Sequence, residues 1–420
     1  MFLDILLYCL MSLYIILLPL MPNKVNLIGK SISPADAILS VIVLIYLLKL
    51  FLCRDSRKKF VFGIKDFFSN YLTIFMSILA LIMLFSISYA TEKGLALSET
   101  IRFITYIIIF FIIKYENKSK GYLKILINSY ICSVFITSLF GIYQYFTGFA
   151  LNKKFIENYG YAKIKIAANM DNPNNLGAFL VLAIFPVLMI AIYEKNKLKK
   201  AAYVSLTTLM LIDIALTGSR NAIVGIIVGV VVLAVLYSFR LFILLGFLGI
   251  IALFVPQVRE RLLAITDKTQ NESRTYLWEI AKKMIKDHPL FGVGNGNYVS
   301  LHDKYTEIYP QFKFYGESRW PCHNSYLKIE SELGIIGGIS FLGILITSLL
   351  RVKKFITNVK DEYFKFFYTG FLASMIAFYV MNLVDNLFFV PKTTAYFWIL
   401  LAICEAGIFH MEHNDNTINI

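Results

Sequence analysis

Three residues able to do chemistry stand at the edges of apolar runs: His323 in CHNSYL, Arg220 in the turn TGSR, and Arg274 at the start of RTYLWEIAKKM. An imidazole, with an unperturbed pKa of about 6.5, takes a proton from a hydroxyl at working pH. A lone histidine at such a boundary also serves packing, but the neighbours of His323 favour chemistry. Asn324 suits orienting a ring or a sugar, and Glu330 and Glu332 follow on the entering helix. Glu330 stands about two helical turns beyond His323, on the same face. An arginine at the depth of Arg220 costs about 2.5 to 3.5 kcal/mol if placed centrally in a bilayer, less near its surface. It is either a snorkelling side chain at the boundary or a guanidinium aimed into a cavity to bind a phosphate or diphosphate, which its planar fork of donors fits. Arg274 carries the same two readings, with a solvated surface arginine as the plain one.

Other motifs carry less. In DNPNNLG, residues 171 to 177, an Asn or Asp suits capping the helix that follows, and capping suffices to explain it; a sugar contact from Asn174 or Asn175 is a secondary reading. His288, just before Pro289, suits the C-terminal dipole of a helix, and His302 has no context. The run GVGNGN, 292 to 297, resembles a phosphate-cradling loop only superficially, because no buried strand precedes it and no helix with Lys-Ser/Thr follows. It reads as a tight turn that bends the chain back to the membrane. There is no GxSxG, no HExxH and no carboxylate cluster with metal spacing, which weakens hydrolase and metalloenzyme readings, and no metal or other cofactor is expected.

The elements that must position these residues follow from composition. The 420 residues are 58% hydrophobic and 16% charged, with a mean hydropathy of +0.67: an integral membrane protein. Apolar runs of about 17 to 25 residues, not ten-residue alternation, make it all-α rather than a barrel. The first run lacks a basic leader and a small-residue cleavage site and reads as a retained span. Five scattered cysteines imply neither a disulfide framework nor a zinc site. The net charge of +14 is a topology signal, not a nucleic-acid footprint.

About twelve spans result: 2 to 20, 35 to 52, 68 to 90, 100 to 114, 123 to 147, 174 to 193, 201 to 217, 221 to 239, 241 to 256, 324 to 350, 363 to 384 and 393 to 409. The eighth and ninth are separated by little more than Arg240. Alternate loops hold Arg54, Arg57, Lys58, Lys59 and Lys65, then Lys114 to Lys124, Lys195 to Lys200, and Arg351 to Lys365. By the positive-inside rule these face the cytoplasm, although Lys153, Lys154, Lys163 and Lys165 partly break the pattern. Both termini are then cytoplasmic. Residues 1 to 256 form spans one to nine, 257 to 322 a long extracytoplasmic loop, and 323 to 420 the last three spans with a short cytoplasmic tail. Loops of that length usually carry function. Leu277, Ile280, Ala281 and Met284 recur at helical spacing opposite Glu279, Lys282, Lys283 and Lys286, giving an amphipathic helix of about three turns that ends near Asp287, a lid over an interfacial cavity.

With these residues in place, the sequence resembles the O-antigen ligase and O-antigen polymerase family, membrane glycosyltransferases of the C-type class. DNPNNLG, TGSRNA, RTYLWEIAKKMIKDHPLFGVGNGNY and CHNSYLKIESELGIIGG occur in the family's order, over about residues 168 to 338. The resemblance implies transfer of a glycan from an undecaprenyl diphosphate carrier to an acceptor hydroxyl, without a metal, on the outer face of a bacterial inner membrane. It implies that Arg220 and Arg274 bind diphosphate and that His323 is catalytic. The acceptor is lipid A core for a ligase, the reading the family label favours, or a carrier-linked glycan for a polymerase; a capsule or protein glycan transferase would use the same donor. A flippase or transporter would predict repeated halves and charges at mid-membrane. Neither shows in the sequence. Membrane lipids are the other expected partners, and nothing points to nucleic acid or to an oligomeric state.

Overall fold

The computed structural model describes residues 2–22, 25–27, 30–116, 119–151, 165–240, 242–243, 268–313 and 318–414. In chain order these form α1 (Phe2–Leu17), a short antiparallel hairpin of β1 (Val25–Leu27) and β2 (Lys30–Ile32), α2 (Pro34–Leu52), α3 (Arg54–Phe67), α4 (Tyr71–Ser86), α5 (Lys93–Tyr115) and α6 (Lys120–Thr147). Then follow α7 (Pro173–Tyr193), α8 (Lys197–Thr217), α9 (Arg220–Leu236), α10 (Lys268–Asp287), α11 (Tyr298–Ile308), α12 (Ser325–Asn358), α13 (Glu362–Met381) and α14 (Pro391–Asn414). Every expected span except the ninth, 241 to 256, coincides with a described helix; the ninth falls almost wholly outside the described residues. Among the described residues, eight helices are long and apolar enough to cross a membrane, and the bent pair α3 and α4 makes up to nine. The shortfall from twelve arises partly because α1 and α9 have 16 and 17 residues, under the roughly 20 that span a bilayer untilted. The chain is a multi-pass helical membrane protein, with one small hairpin among the described residues, in the connection after α1.

Two elements differ from expectation. The basic stretch after α2, expected as a connecting loop, is the helix α3, lying at 86° to α4. The fourth span begins at Lys93 rather than 100, because the polar residues Lys93, Ser98 and Glu99 form its first turns.

The bundle is built around α7. Every side chain from Leu176 to Val187 is buried, as expected of a helix apolar on all sides. At Gly370 of α13 a Cβ would lie 2.3 Å from the carbonyl oxygen of Phe185, so only glycine lets the two backbones approach this closely. Ser374 Oγ adds a hydrogen bond to the Val181 carbonyl, 2.8 Å. One end of the bundle holds a set of buried ion pairs. Lys49 pairs with Asp4 (2.7 Å) and Glu116, and Lys114 pairs with Asp66 (2.8 Å) and Glu405 (3.2 Å). Arg351 also pairs with Glu405, Nη2 to Oε2 at 2.8 Å.

At the opposite end the segment after residue 268 folds on its own small core. The stripe Leu277, Ile280, Ala281 and Met284 is 2% exposed or less, and its last three members pack with Val293, Tyr298, Tyr305 and Cys322. The helix stops at Asp287 as expected, but at 20 residues it is longer than three turns. The GVGNGN run is more than a turn: it wedges into α12. Val293 and Gly294 donate to the carbonyls of Ser331 and Glu332, both 2.9 Å, while Ile335 donates to the Pro289 carbonyl, 2.9 Å. Gly334, at φ 66°, breaks the helix to admit the loop; a Cβ there would lie 2.2 Å from the Leu290 carbonyl carbon. Asn295 and Asn297 pin the same loop to the α4–α5 connection, through Ser86 Oγ (3.1 Å) and the Glu92 amide (2.6 Å).

Candidate active site

The site is a convergence of helix ends. Asn172 caps α7 by accepting from the Asn175 amide at 2.9 Å, with Pro173 in the first turn. This cap turns the next side chain, Asn174, toward the connection between α13 and α14, where its Nδ2 donates to Asp385 Oδ2 at 3.2 Å. In TGSR, left-handed Gly218 closes α8 and Ser219 caps α9. Arg220 is thus the first residue of α9, half-buried. The neighbouring Asn221 donates to the Met381 carbonyl at 3.0 Å, fixing the start of α9 against the end of α13.

The connection 382 to 390 holds His323 in place. Asn382 Oδ1 accepts from Ser325 Oγ (2.6 Å) and the Phe388 amide (2.9 Å), and Asn386 Oδ1 accepts from the Asn324 amide (2.8 Å). Clamped between these bonds, His323 takes a left-handed backbone, φ 50°, unusual for a residue with a Cβ and consistent with a functional constraint. Its Nδ1 lies 3.0 Å from Asp385 Oδ1. Helix α10, expected from the sequence to be a lid, is tied to this residue, since Trp278 Nε1 donates to the His323 carbonyl at 3.3 Å. Arg274 precedes Trp278 by about one turn.

Asp385 is the hub. Burial pushes its carboxyl up, but the His323 hydrogen bond, the charges of His323 and Arg274, and the Asn386 amide outweigh burial and hold it below the usual carboxylate range. An ionised carboxylate only accepts hydrogen bonds, so it selects the tautomer with the proton on Nδ1. Nε2 is left as the basic nitrogen, and it makes no hydrogen bond among the described residues. The side chain of His323 is 25% exposed, which leaves that nitrogen reachable.

Of the residues expected from the sequence, His323 and Asn174 therefore hydrogen-bond one carboxylate, Arg274 lies near enough for its charge to act on it, and Arg220 starts a helix pinned to the same end of the bundle. Three others sit differently. Asn324 caps α12, accepting from the Tyr326 and Leu327 amides and donating to the Leu383 carbonyl, so its amide is occupied in holding the loop. Asn175 is likewise engaged, its Nδ2 donating to the Met170 carbonyl. The reasoning that put Glu330 on the face of His323 does not hold, because His323 lies outside the helix, which begins at Ser325. The neighbouring Glu332 is fully buried and accepts from the amides of Gly296 (2.8 Å) and Tyr298 (3.1 Å), joining the glycine loop to α12. His288 closes the end of α10 through its amide, and His302 Nδ1 faces Asp303 at 2.9 Å.

Sequence reasoning missed Asp385. The available signal was an acid between two asparagines' worth of polarity in MNLVDNLFF, a short connection between apolar spans.

Residues 205–342 match the family model Wzy_C, described as O-Antigen ligase. Arg220, Arg274 and His323 fall inside that match, Asn174 and Asp385 outside it. The chain is also 25% identical over 263 residues to the teichuronic acid biosynthesis protein TuaE of Bacillus subtilis (strain 168), covering 56% of this chain. The match spans half the length of that curated relative. Of the motifs that resemble the family, TGSRNA, RTYLWEIAKKMIKDHPLFGVGNGNY and CHNSYLKIESELGIIGG lie inside the matched residues and DNPNNLG lies outside them, so the likeness to the O-antigen ligase family is shown over residues 205–342.

Proposed function

We propose that the chain is a membrane glycosyltransferase moving a glycan from a polyprenyl diphosphate carrier to an acceptor hydroxyl, without a metal. The observation that carries this reading is the His323–Asp385 pair, partly exposed and next to the helix that bears Arg274. Nε2 takes the acceptor hydroxyl proton as its oxygen bonds to the anomeric carbon, and Asp385 stabilises the imidazolium formed. The bond from that carbon to the diphosphate breaks, and the leaving diphosphate gathers negative charge. Arg274 and Arg220 supply the guanidiniums that stabilise it. Asn174, on the other oxygen of Asp385, holds the carboxylate toward His323.

The family description favours a ligase, for which the resemblance implies lipid A core as acceptor. A second reading, a polymerase whose acceptor is another carrier-linked glycan, is favoured by the relative named for teichuronic acid biosynthesis. Purified chain, given a defined undecaprenyl diphosphate glycan and either acceptor, separates the two. Transfer to one acceptor with release of the diphosphate carrier is the expected result. Failure with every hydroxyl acceptor, under conditions where the donor binds, would overturn the assignment.

A further inference from the structure

At the far end of the bundle from His323, the elbow between α3 and α4 opens a cavity of about 280 Å³ whose lining includes Asp66, Ser69, Tyr71, Thr347, Arg351 and Glu412. Its charges come in balanced pairs. Arg351 pairs with Glu405, Lys114 with Asp66 and Glu405, and Lys354 with Glu412. Each charged residue of the lining, Asp66, Arg351 and Glu412, thus already has a counter-ion, so the pocket offers no unpaired charge to a lone anion or a lone cation. It does have open valences of both signs. Arg351 uses Nε and Nη2 on Glu405, and its Nη1 makes no hydrogen bond among the described residues. The Glu412 carboxylate is 39% exposed and Asp66 is 20% exposed.

The surroundings are those of a bilayer surface. Helix α3 leaves α4 at 86°, so with α4 crossing the membrane α3 runs along its plane. It exposes Val61 and Ile64, and Phe68 just past its end, beside exposed Arg57, Lys58 and Lys65, the pattern of a helix lying among headgroups. Beside the cavity, Tyr71 and Leu350 are exposed along the bundle surface, where acyl chains would run.

We propose that this elbow is a phospholipid site whose ligand carries both a phosphate and a protonated amine, the phosphatidylethanolamine class. The phosphate meets Arg351 Nη1 and the hydroxyl of Ser69 or Tyr71, the ammonium meets Asp66 and Glu412, and the chains descend along Tyr71 and Leu350. A quaternary ammonium has no N–H to give those carboxylates, and a glycerol headgroup brings no cation. Both should bind less well.

The full chain, delipidated in detergent, is titrated with phosphatidylethanolamine, phosphatidylcholine or phosphatidylglycerol and followed by native mass spectrometry and thermal melting. Phosphatidylethanolamine should be retained and raise the melting temperature, with the other two weaker by about tenfold or more, one charge-assisted hydrogen bond's worth. Thr347→Trp fills the cavity without touching an ion pair and should abolish retention while the lipid-free melting temperature stays near the parent's. Ser69→Trp, at the exposed rim, gives the same result if Thr347→Trp does not fold. Equal retention of the three lipids, or unchanged retention in the folded Trp variant, overturns the proposal. Soluble phosphoethanolamine stabilising as strongly as the lipid also overturns it, assigning the pocket to a small metabolite.

Discussion

At the scale of single residues, the proposed chemistry divides between a base acting on the acceptor and guanidiniums acting on the donor, and substitutions should separate them. His323→Ala should lower turnover by about 10² to 10⁴, the usual contribution of a general base, while a carrier-linked donor still binds; single-turnover kinetics and donor binding measured side by side check this. Normal turnover would leave His323 a structural residue. Arg220→Ala and Arg274→Ala should each lower turnover about 10- to 100-fold with expression intact, as for loss of a charge-assisted contact, and lysine should restore only part, lacking the bidentate fork. Near-parental transfer by Arg220→Ala would make it a snorkelling side chain. Asp385 adds a pH argument. Its carboxyl is depressed in the folded protein, so the stability it contributes is fully present above the ordinary aspartate value and is lost as pH falls through its lower folded value. The melting-temperature gap between parent and Asp385→Asn should therefore be full near neutrality and shrink only below the usual carboxylate range.

At the scale of elements, legibility followed the range of the cause. The helices were legible because apolar windows and caps are local: DNPNNLG does cap α7, and the α10 stripe is the buried one. His323 and the two arginines were legible because ionisable side chains beside apolar runs are costly enough to stand out. What stayed hidden depends on contacts distant in sequence. Asp385 matters through Asn174 and His323, 211 and 62 positions away, and no spacing rule reaches that far. The break in α12 stayed hidden for the same reason, since SELGIIGG reads as continuous helix until the loop at 290 to 296 is docked into it. That docking makes a testable joint. Gly334→Ala places a Cβ against the Leu290 carbonyl at φ 66° and ψ −169°, a region essentially reserved for glycine that costs about 1 to 3 kcal/mol for an L residue before the clash is added. Gly292→Ala meets the Glu332 carbonyl in the same interface. Either should lower the melting temperature and speed proteolysis in the lid, and the double variant should cost less than the two single costs combined, because both break one contact. Strict additivity would mean that the loop and the break in α12 are independent.

At the scale of the whole molecule, the two ends of the bundle differ in chemistry, and that difference makes the orientation a single two-way choice. Asn70, at the start of α4, donates to Glu405, which pairs with Arg351 near the end of α12; Ser86, at the other end of α4, accepts from the loop of Asn295, on the side where α12 begins beside His323. The basic segments 54 to 65 and 351 to 354 therefore share one end, and the lid and His323 share the other. Positively charged loops are retained in the cytoplasm, so the lid should face outward, where a lipid carrier flipped across the membrane would present its glycan. In a variant stripped of its five native cysteines, a single cysteine at exposed Glu307 should react with an impermeant maleimide on intact cells, and one at exposed Lys58 only after permeabilisation. The reverse pattern would place His323 in the cytoplasm. There an acceptor would meet nucleotide-activated donors before any flipped carrier, and the proposed reaction would lose its substrate even with every distance in the site unchanged.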